Sequence, residues 1–308
     1  MAGRLLLLLV ALLSALLLTR ASQPSAIAAD PLGVITLRDA KSRTRVRLVG
    51  SMHFNPHSIA LAQRIVAEEA SAGGLRAVAV ESCPTRWNAT LRMQPAGSLL
   101  RSLCDNEMQA AAEAAEAAGA VTALVDQTIE DTGARVRQIF GATLAELCTP
   151  WDGGWSRILE DLTLGCGQVL SSGGLGLSSI LDPRLLLGFP VSLGRYPLSI
   201  GIKSPLVGAA AVALLFLVSQ GEETPPPATE LEQLLDIAES LAFVALESII
   251  LGRVLLVALL EERNYVLARN IRKACLAKSA SPDGAVVAVL GMAHLNGVGS
   301  LLRDSRIV

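Results

Sequence analysis

Val46-Arg47-Leu48-Val49-Gly50-Ser51-Met52-His53 near one end of the chain and Val286-Val287-Ala288-Val289-Leu290-Gly291-Met292-Ala293-His294 near the other read almost alike. Each is a short apolar run closed by Gly-x-x-His, and together they use two of the three histidines in 308 residues. Gly accepts backbone angles that other residues resist, so a strand ending in Gly can turn sharply. The imidazole just past the turn then stands at the strand's carboxyl end, the edge where open α/β sheets bind ligands. Two such histidines from distant sequence positions imply a site assembled by the fold.

The segments between them alternate. Val34–Leu37 and Val46–Val49 read as a hairpin around Asp39-Ala40-Lys41-Ser42, and Pro56 opens a helix through Ser71 with Ile59, Leu61, Ile65 and Val66 on one face. Leu75–Glu81 is a buried strand, Glu107–Ala118 an Ala/Glu helix stopped by Gly119, and Val121–Asp126 the next strand. This rhythm predicts an α/β fold: a mixed, largely parallel sheet flanked by helices, with right-handed crossovers and the last strand returning beside the first. Residues 165–201 are rich in Gly, Ser, Leu and Pro and show no clear period. Leu206–Val218 is apolar without a charge, but thirteen helical residues reach only about 20 Å, too short to cross a bilayer alone. It reads equally as a core helix or a membrane element. Glu222–Pro227 is a proline-stiffened linker, and Leu231–Ala274 is helical, either as two helices or as one kinked near Gly252.

Composition bounds the function. With 51% hydrophobic and 18% charged residues the chain can bury a sizeable core. A net charge of −2 and 3% aromatics argue against nucleic acid as a partner. The mean hydropathy of +0.48 is high for a soluble enzyme and points to a membrane. Arg4, the run Leu5–Leu18 and the small residues Ala26–Ala29 have the order of a signal peptide or signal-anchor over residues 1–29, directing the chain to the secretory pathway or an organelle. The domain then spans 30–308, with an apolar insert at about 165–227. Five scattered cysteines without a C-x-x-C pair give neither a disulfide framework nor a zinc knuckle.

Four expected strands end in His53, Glu81, Asp126 and His294. Two imidazoles with one or two carboxylates suit a divalent metal ion such as Mn, Co or Zn, and a carboxylate left free could act as general base. Each residue also has an ordinary reading, since a strand-end His often bonds a loop and a carboxylate after a strand often caps a helix. His57 reads as helix surface and Cys83 as a packed thiol. Arg86 and the triplet Glu262-Arg263-Asn264, set in an apolar helix, are the other singular features; Arg263 could hold an oxyanion with its fork of donors.

Gly50-Ser51-Met52-His53, Val80-Glu81-Ser82-Cys83-Pro84-Thr85-Arg86, Glu262-Arg263-Asn264 and Gly291-Met292-Ala293-His294-Leu295-Asn296-Gly297-Val298 follow one another in the order of signature blocks. In that order they resemble the TraB family, which includes pheromone-shutdown proteins and is related to the Tiki proteases. Gly119–Gln127 resembles a further block. The resemblance implies an α/β fold and a metal-dependent, peptidase-like site using His53, Glu81, Arg86, Glu262, Arg263 and His294, with a peptide or protein as substrate or partner. It equally allows a non-enzymatic, membrane-associated regulatory module of the pheromone-shutdown type. Asn264 stands where the pattern has Asp, and Gln127 where it has Arg, which would leave Asp126 more loosely anchored.

Overall fold

The structure, a computed structural model, describes residues 32–169, 175–176, 179, 181–206, 208–209, 212–213, 229–278, 281 and 283–306. The expected N-terminal targeting segment, most of the run Leu206–Val218 and the expected proline linker lie outside these residues.

Strands β1 (Val34–Arg38) and β2 (Arg45–Ser51) pair antiparallel, Val34 opposite Val49 and Arg38 opposite Arg45. The turn between them is closed by Asp39, whose carboxylate accepts from the Ser42 amide at 2.7 Å. Helix α1 (Pro56–Ser71) begins where expected, because Asn55 accepts from the His57 amide and Pro56 fits the first helical position. Strand β3 (Leu75–Val80) follows, then α2 (Pro84–Met93), the short α3 (Leu99–Leu103), α4 (Glu107–Ala117) and β4 (Val121–Leu124). Helices α5 (Ile129–Leu147), α6 (Gly154–Val169), α7 (Pro183–Lys203) and α8 (Glu230–Arg253) come next. A π-helical stretch, Val254–Glu261, joins α8 to α9 (Glu262–Leu276), and β5 (Ala285–Gly291) and α10 (Leu295–Arg303) complete the chain.

The sheet order is β1-β2-β5-β3-β4, with every pair after the first hairpin parallel. β5 therefore returns to the centre of the sheet, between β2 and β3. All seven of its positions are buried, and Ala-Val-Val-Ala-Val-Leu-Gly is the near-continuous apolar run that such a strand requires. Its residues alternate between two cores. Val286, Ala288 and Leu290 pack with Leu267 and Ile271 of α9 and Leu295, Val298 and Leu302 of α10. Val287 and Val289 pack with Ile65 and Val66 of α1 and Met108, Ala111 and Ala115 of α4. The result is a three-layer α/β/α arrangement, each fully buried Val, Leu or Ile contributing roughly 1.5–3 kcal/mol. A buried ion pair, Arg272 Nε to Asp39 Oδ1 at 2.7 Å, ties α9 to the first hairpin, and Arg272 also donates to the Leu301 and Leu302 carbonyls.

The aperiodic segment 165–201 is largely helical where it is described: α6 runs to Val169 and α7 covers 183–203. The sequence shows no clear period there because α7 carries two internal prolines, Pro190 and Pro197, and two of its three buried residues, Ser192 and Ser199, are small and polar beside Leu185. The expected break near Gly252 is instead a change of helix type one residue beyond Arg253, and the helix continues from Glu230 to Leu276. Two described helices are long and apolar enough to cross a membrane by length and composition, Pro183–Lys203 and Glu230–Leu276. From Glu230 to Phe243 every position is exposed, including Leu231, Leu234, Leu235, Ile237, Leu241 and Phe243.

Candidate functional site

The central position of β5 brings the two Gly-x-x-His segments side by side, since Gly50 and Ser51 of β2 are in register with Leu290 and Gly291 of β5. β3, on the other side of β5, ends beside them and delivers Glu81. A Cβ placed on Gly291 would lie 3.3 Å from Glu81 Oε2, 3.5 Å from His53 Nε2 and 3.6 Å from His294 Cδ2. The three side chains thus surround one glycine, no two of these atoms more than about 7 Å apart. His294 Nε2 stands 3.4 Å from Glu81 Oε1, and the Gly291 amide donates to Glu81 Oε2 at 2.5 Å.

Each imidazole is backed on its other nitrogen. His53 Nδ1 is 2.6 Å from Glu107 Oε1, at the first turn of α4, where Asn106 caps the helix. Glu107 also accepts from Ser51 Oγ and the Phe54 amide, both at 3.1 Å. His294 Nδ1 is 2.7 Å from Asn264 Oδ1, whose amide nitrogen donates to Gln168 at 3.0 Å. A neutral ring that donates from Nδ1 keeps Nε2 as its lone-pair nitrogen, and both Nε2 atoms lie near Glu81 or the glycine beside it. On His53 a lone pair there requires loss of the proton that Glu107 stabilises. Phe54 holds a left-handed backbone (φ 63°), which bends the chain away from β2 directly after His53. Tyr196 of α7 stacks on the His53 ring with centroids 6.4 Å apart and meets Phe54 edge-on.

Electrostatics sharpen the arrangement. Burial opposes a charge on His53, but the hydrogen bond and charge of Glu107 outweigh it and hold the imidazole up at about 9. Burial likewise opposes ionisation of Glu81, yet His294, Arg263 and His53 together hold its carboxyl well below the usual range. Glu107 is held down against its own burial by the hydrogen bond and charge of His53.

Arg263 lies at the centre of the neighbouring charges. Its Nη2 donates to Glu81 Oε1 at 2.7 Å and to Asp126 Oδ2 at 2.6 Å, and its Nε to Asp126 Oδ1 at 3.2 Å. Arg86 binds the same Asp126 carboxylate and the Gln127 carbonyl, and its Nε lies 3.5 Å from the buried Cys83 sulfur. Asp126 therefore sits beside the cluster as the shared partner of two arginines, rather than as a donor facing the histidines. Its anchoring does not suffer from the glutamine at 127, whose amide donates to Thr132 instead. Glu262 points elsewhere: it pairs with Arg135 of α5 at 2.5–2.8 Å in a separate cleft that also contains Asp161 and Arg253. His57 is half-buried, 3.9 Å from Asp182.

Sequence reasoning passed over Glu107 and Asn264. Glu107 looked like the first acid of an Ala/Glu helix, although a carboxylate in the first turn after an Asn cap was the available signal. Asn264 stood out only as a departure from a pattern.

Two Nε2 atoms with backed Nδ1 atoms and a nearby carboxylate are the donor types that suit a divalent ion. Among the described residues, however, no group of three or more His, Cys, Asp or Glu side chains is drawn into an ion-holding arrangement, and Glu81 is engaged by Arg263 and the Gly291 amide. The chain matches no family model, and no curated protein matches it significantly.

Proposed function

We propose that the protein is a membrane-associated metal-dependent hydrolase of the TraB and Tiki type, acting on a peptide or other acyl bond. One observation carries the reading: two histidines from opposite ends of the chain converge on Glu81 with both Nδ1 atoms held by dedicated partners, Glu107 and Asn264. Hydrogen-bonded backing of this kind orients imidazoles whose Nε2 atoms are put to use. His53, His294 and Glu81 would hold Mn, Co or Zn, and such an ion lowers the pKa of bound water towards neutrality and polarises a carbonyl. Glu81, released from Arg263, can serve as ligand or take a proton from the attacking water. Arg263, anchored on Asp126, places a fork of donors where negative charge develops on an acyl oxygen. Arg86 fixes Asp126 and so acts through it.

The membrane part of the reading rests on the mean hydropathy of the chain, its apolar N-terminal run and the two long apolar helices. A secretory or organellar destination follows from the N-terminal segment. A second reading, a non-enzymatic membrane-associated module that binds a peptide or protein partner, is favoured by the engagement of Glu81 with Arg263.

Metal analysis of purified protein separates the two. Stoichiometric Mn, Co or Zn in wild type, lost in His53→Ala/His294→Ala, supports the hydrolase. Protein that takes up none of the three from metal-supplemented buffer and still binds its partner after both substitutions supports the module.

A further inference from the structure

Helix α7 is polar where it meets the protein and apolar where it faces outward. Its covered stripe runs through Leu185, Gly188, Ser192, Arg195, Ser199 and Lys203, three to four residues apart, with Gly201 and Ile202 also half-buried near its C-terminal end. Leu185 and Ile202 are the only large hydrophobes among these. The opposite side exposes Leu187, Phe189, Val191, Leu193, Leu198 and Ile200, and Leu187 is 82% exposed. A surface helix of a water-soluble domain has the reverse pattern. The outward apolar arc covers about half the helix circumference, wider than the narrow seam of a helix that pairs with one partner helix.

Charge specifies the occupant. Between Pro183 and Lys203 the helix carries no acidic residue; Arg184 is exposed at its first turn, while Arg195 and Lys203 lie on the covered side. α8, equally exposed, carries Glu230, Glu232, Asp236, Glu239 and Glu247. The covered side of α7 packs on the α/β domain along its length: Leu185 O accepts from Asn55, a Cβ on Gly188 would strike Asn55, and Tyr196 stacks on His53. A helix held this way lies along a surface with one side free.

We propose that the outer face of α7 docks in the interfacial layer of an anionic bilayer, with the helix lying in the membrane plane. Because Tyr196 covers one face of His53, the docked helix is also a wall of the candidate site, which then opens at the lipid surface. The inference deepens the membrane reading above and is independent of whether the site holds a metal.

The test uses the full chain bearing Leu193→Trp, with wild-type emission from Trp87, Trp151 and Trp155 subtracted. Leu187→Trp serves as the second variant, and thermal melts establish that both fold as wild type. Vesicles are equal mixtures of phosphatidylcholine and phosphatidylglycerol, with bromine at shallow or deep acyl positions. The expected result is a blue-shifted added tryptophan, quenched best by shallow bromine, with binding weakened about fivefold in Arg184→Gln. Unshifted emission from protein that floats with the vesicles means another segment binds, and overturns the proposal. Strongest quenching by deep bromine means α7 spans, and a shift that grows with protein concentration without vesicles means a second copy occupies the face; either overturns it. Nuclear magnetic resonance titration of His53 and His294 in the same variants reads the catalytic cluster separately, so failure of the docking leaves the hydrolase reading standing.

Discussion

Replacing Glu107 with Gln is expected to unload His53. The Glu107 side chain is 1% exposed and its carboxylate accepts from His53, Ser51 and the Phe54 amide. Gln keeps one acceptor oxygen and nearly the same volume, so the substitution removes charge without opening a hole. The ordinary imidazole value is 6.5, and in the folded protein His53 stands at about 9. A raised folded value means the protonated imidazole stabilises the fold. That contribution is complete below about pH 6.5, fades as pH rises and is gone above about 9. For a fully buried pair this interval would correspond to about 3.4 kcal/mol. Two-fifths of the His53 side chain is exposed, so solvent screens the pair and about 1–2 kcal/mol is the expected worth. In metal-free Glu107→Gln the His53 midpoint should therefore fall by about one pH unit. The stability loss should be about 1–2 kcal/mol near pH 6 and vanish near pH 10. With three histidines in the chain, proton resonances of the imidazoles resolve and His→Ala variants assign them; urea unfolding at the two pH values gives the stability difference. A midpoint that stays near 9 in Glu107→Gln would refute the reasoning, because another group would then be holding the proton.

Asn264→Ala leaves His294 Nδ1 without its acceptor and is expected to weaken metal binding by about 10–100-fold, while Asn264→Asp restores it; isothermal titration reads both. Gly291→Ala puts a methyl group 3.3 Å from Glu81 and 3.5 Å from His53, at a backbone φ of −55° that alanine accepts. The variant should fold, with an overpacking cost of about 1–3 kcal/mol, and lose metal uptake and any hydrolytic activity; retention of both would show that the space above Gly291 is not the site. Asp39→Ala strands the buried Arg272 guanidinium and should cost about 3–5 kcal/mol in thermal unfolding, with the activity of the surviving folded fraction unchanged.

The sheet and its central pairing were legible because they rest on local signals with strong physics behind them. Alternating apolar runs, Pro56 after a capping Asn55 and the echoed Gly-x-x-His fixed β2, α1 and β5 to within a residue or two. The neighbourhood of His53, Glu81 and His294 followed from strand ends alone. The orienting residues were not legible, because Glu107 and Asn264 meet their histidines across 54 and 30 residues of sequence, and no local pattern marks such a contact. Glu262 and Arg263 show why adjacency in sequence misleads on a helix. Successive residues point about 100° apart, so one faces Arg135 on α5 while the next reaches Glu81 and Asp126. The π-helical stretch directly before them widens the turn and resets that phase, a feature that hydrophobic spacing does not reveal. α7 escaped because most of its covered positions are Ser, Gly, Arg and Lys, with Leu185 and Ile202 the only large hydrophobes, nearly the inverse of the pattern by which a surface helix is recognised.

The position of Asp126 resolves a difficulty in the site. Glu81 is neutralised by Arg263, and a carboxylate so occupied is a poor donor to any cation. If Arg263 had Glu81 as its sole counter-charge, a cation at Glu81 would leave a guanidinium that is 14% exposed without compensation, at a cost of several kcal/mol. Asp126, fully covered at its side chain, removes that cost: it already accepts from both Nε and Nη2 of Arg263 and stays fixed by Arg86 and the Gln127 amide. Glu81 can then exchange its partner while Arg263 keeps its own. A carboxylate first read as a metal ligand is better placed as the counter-charge that frees one, and this explains why two arginines converge on Asp126 while neither imidazole does.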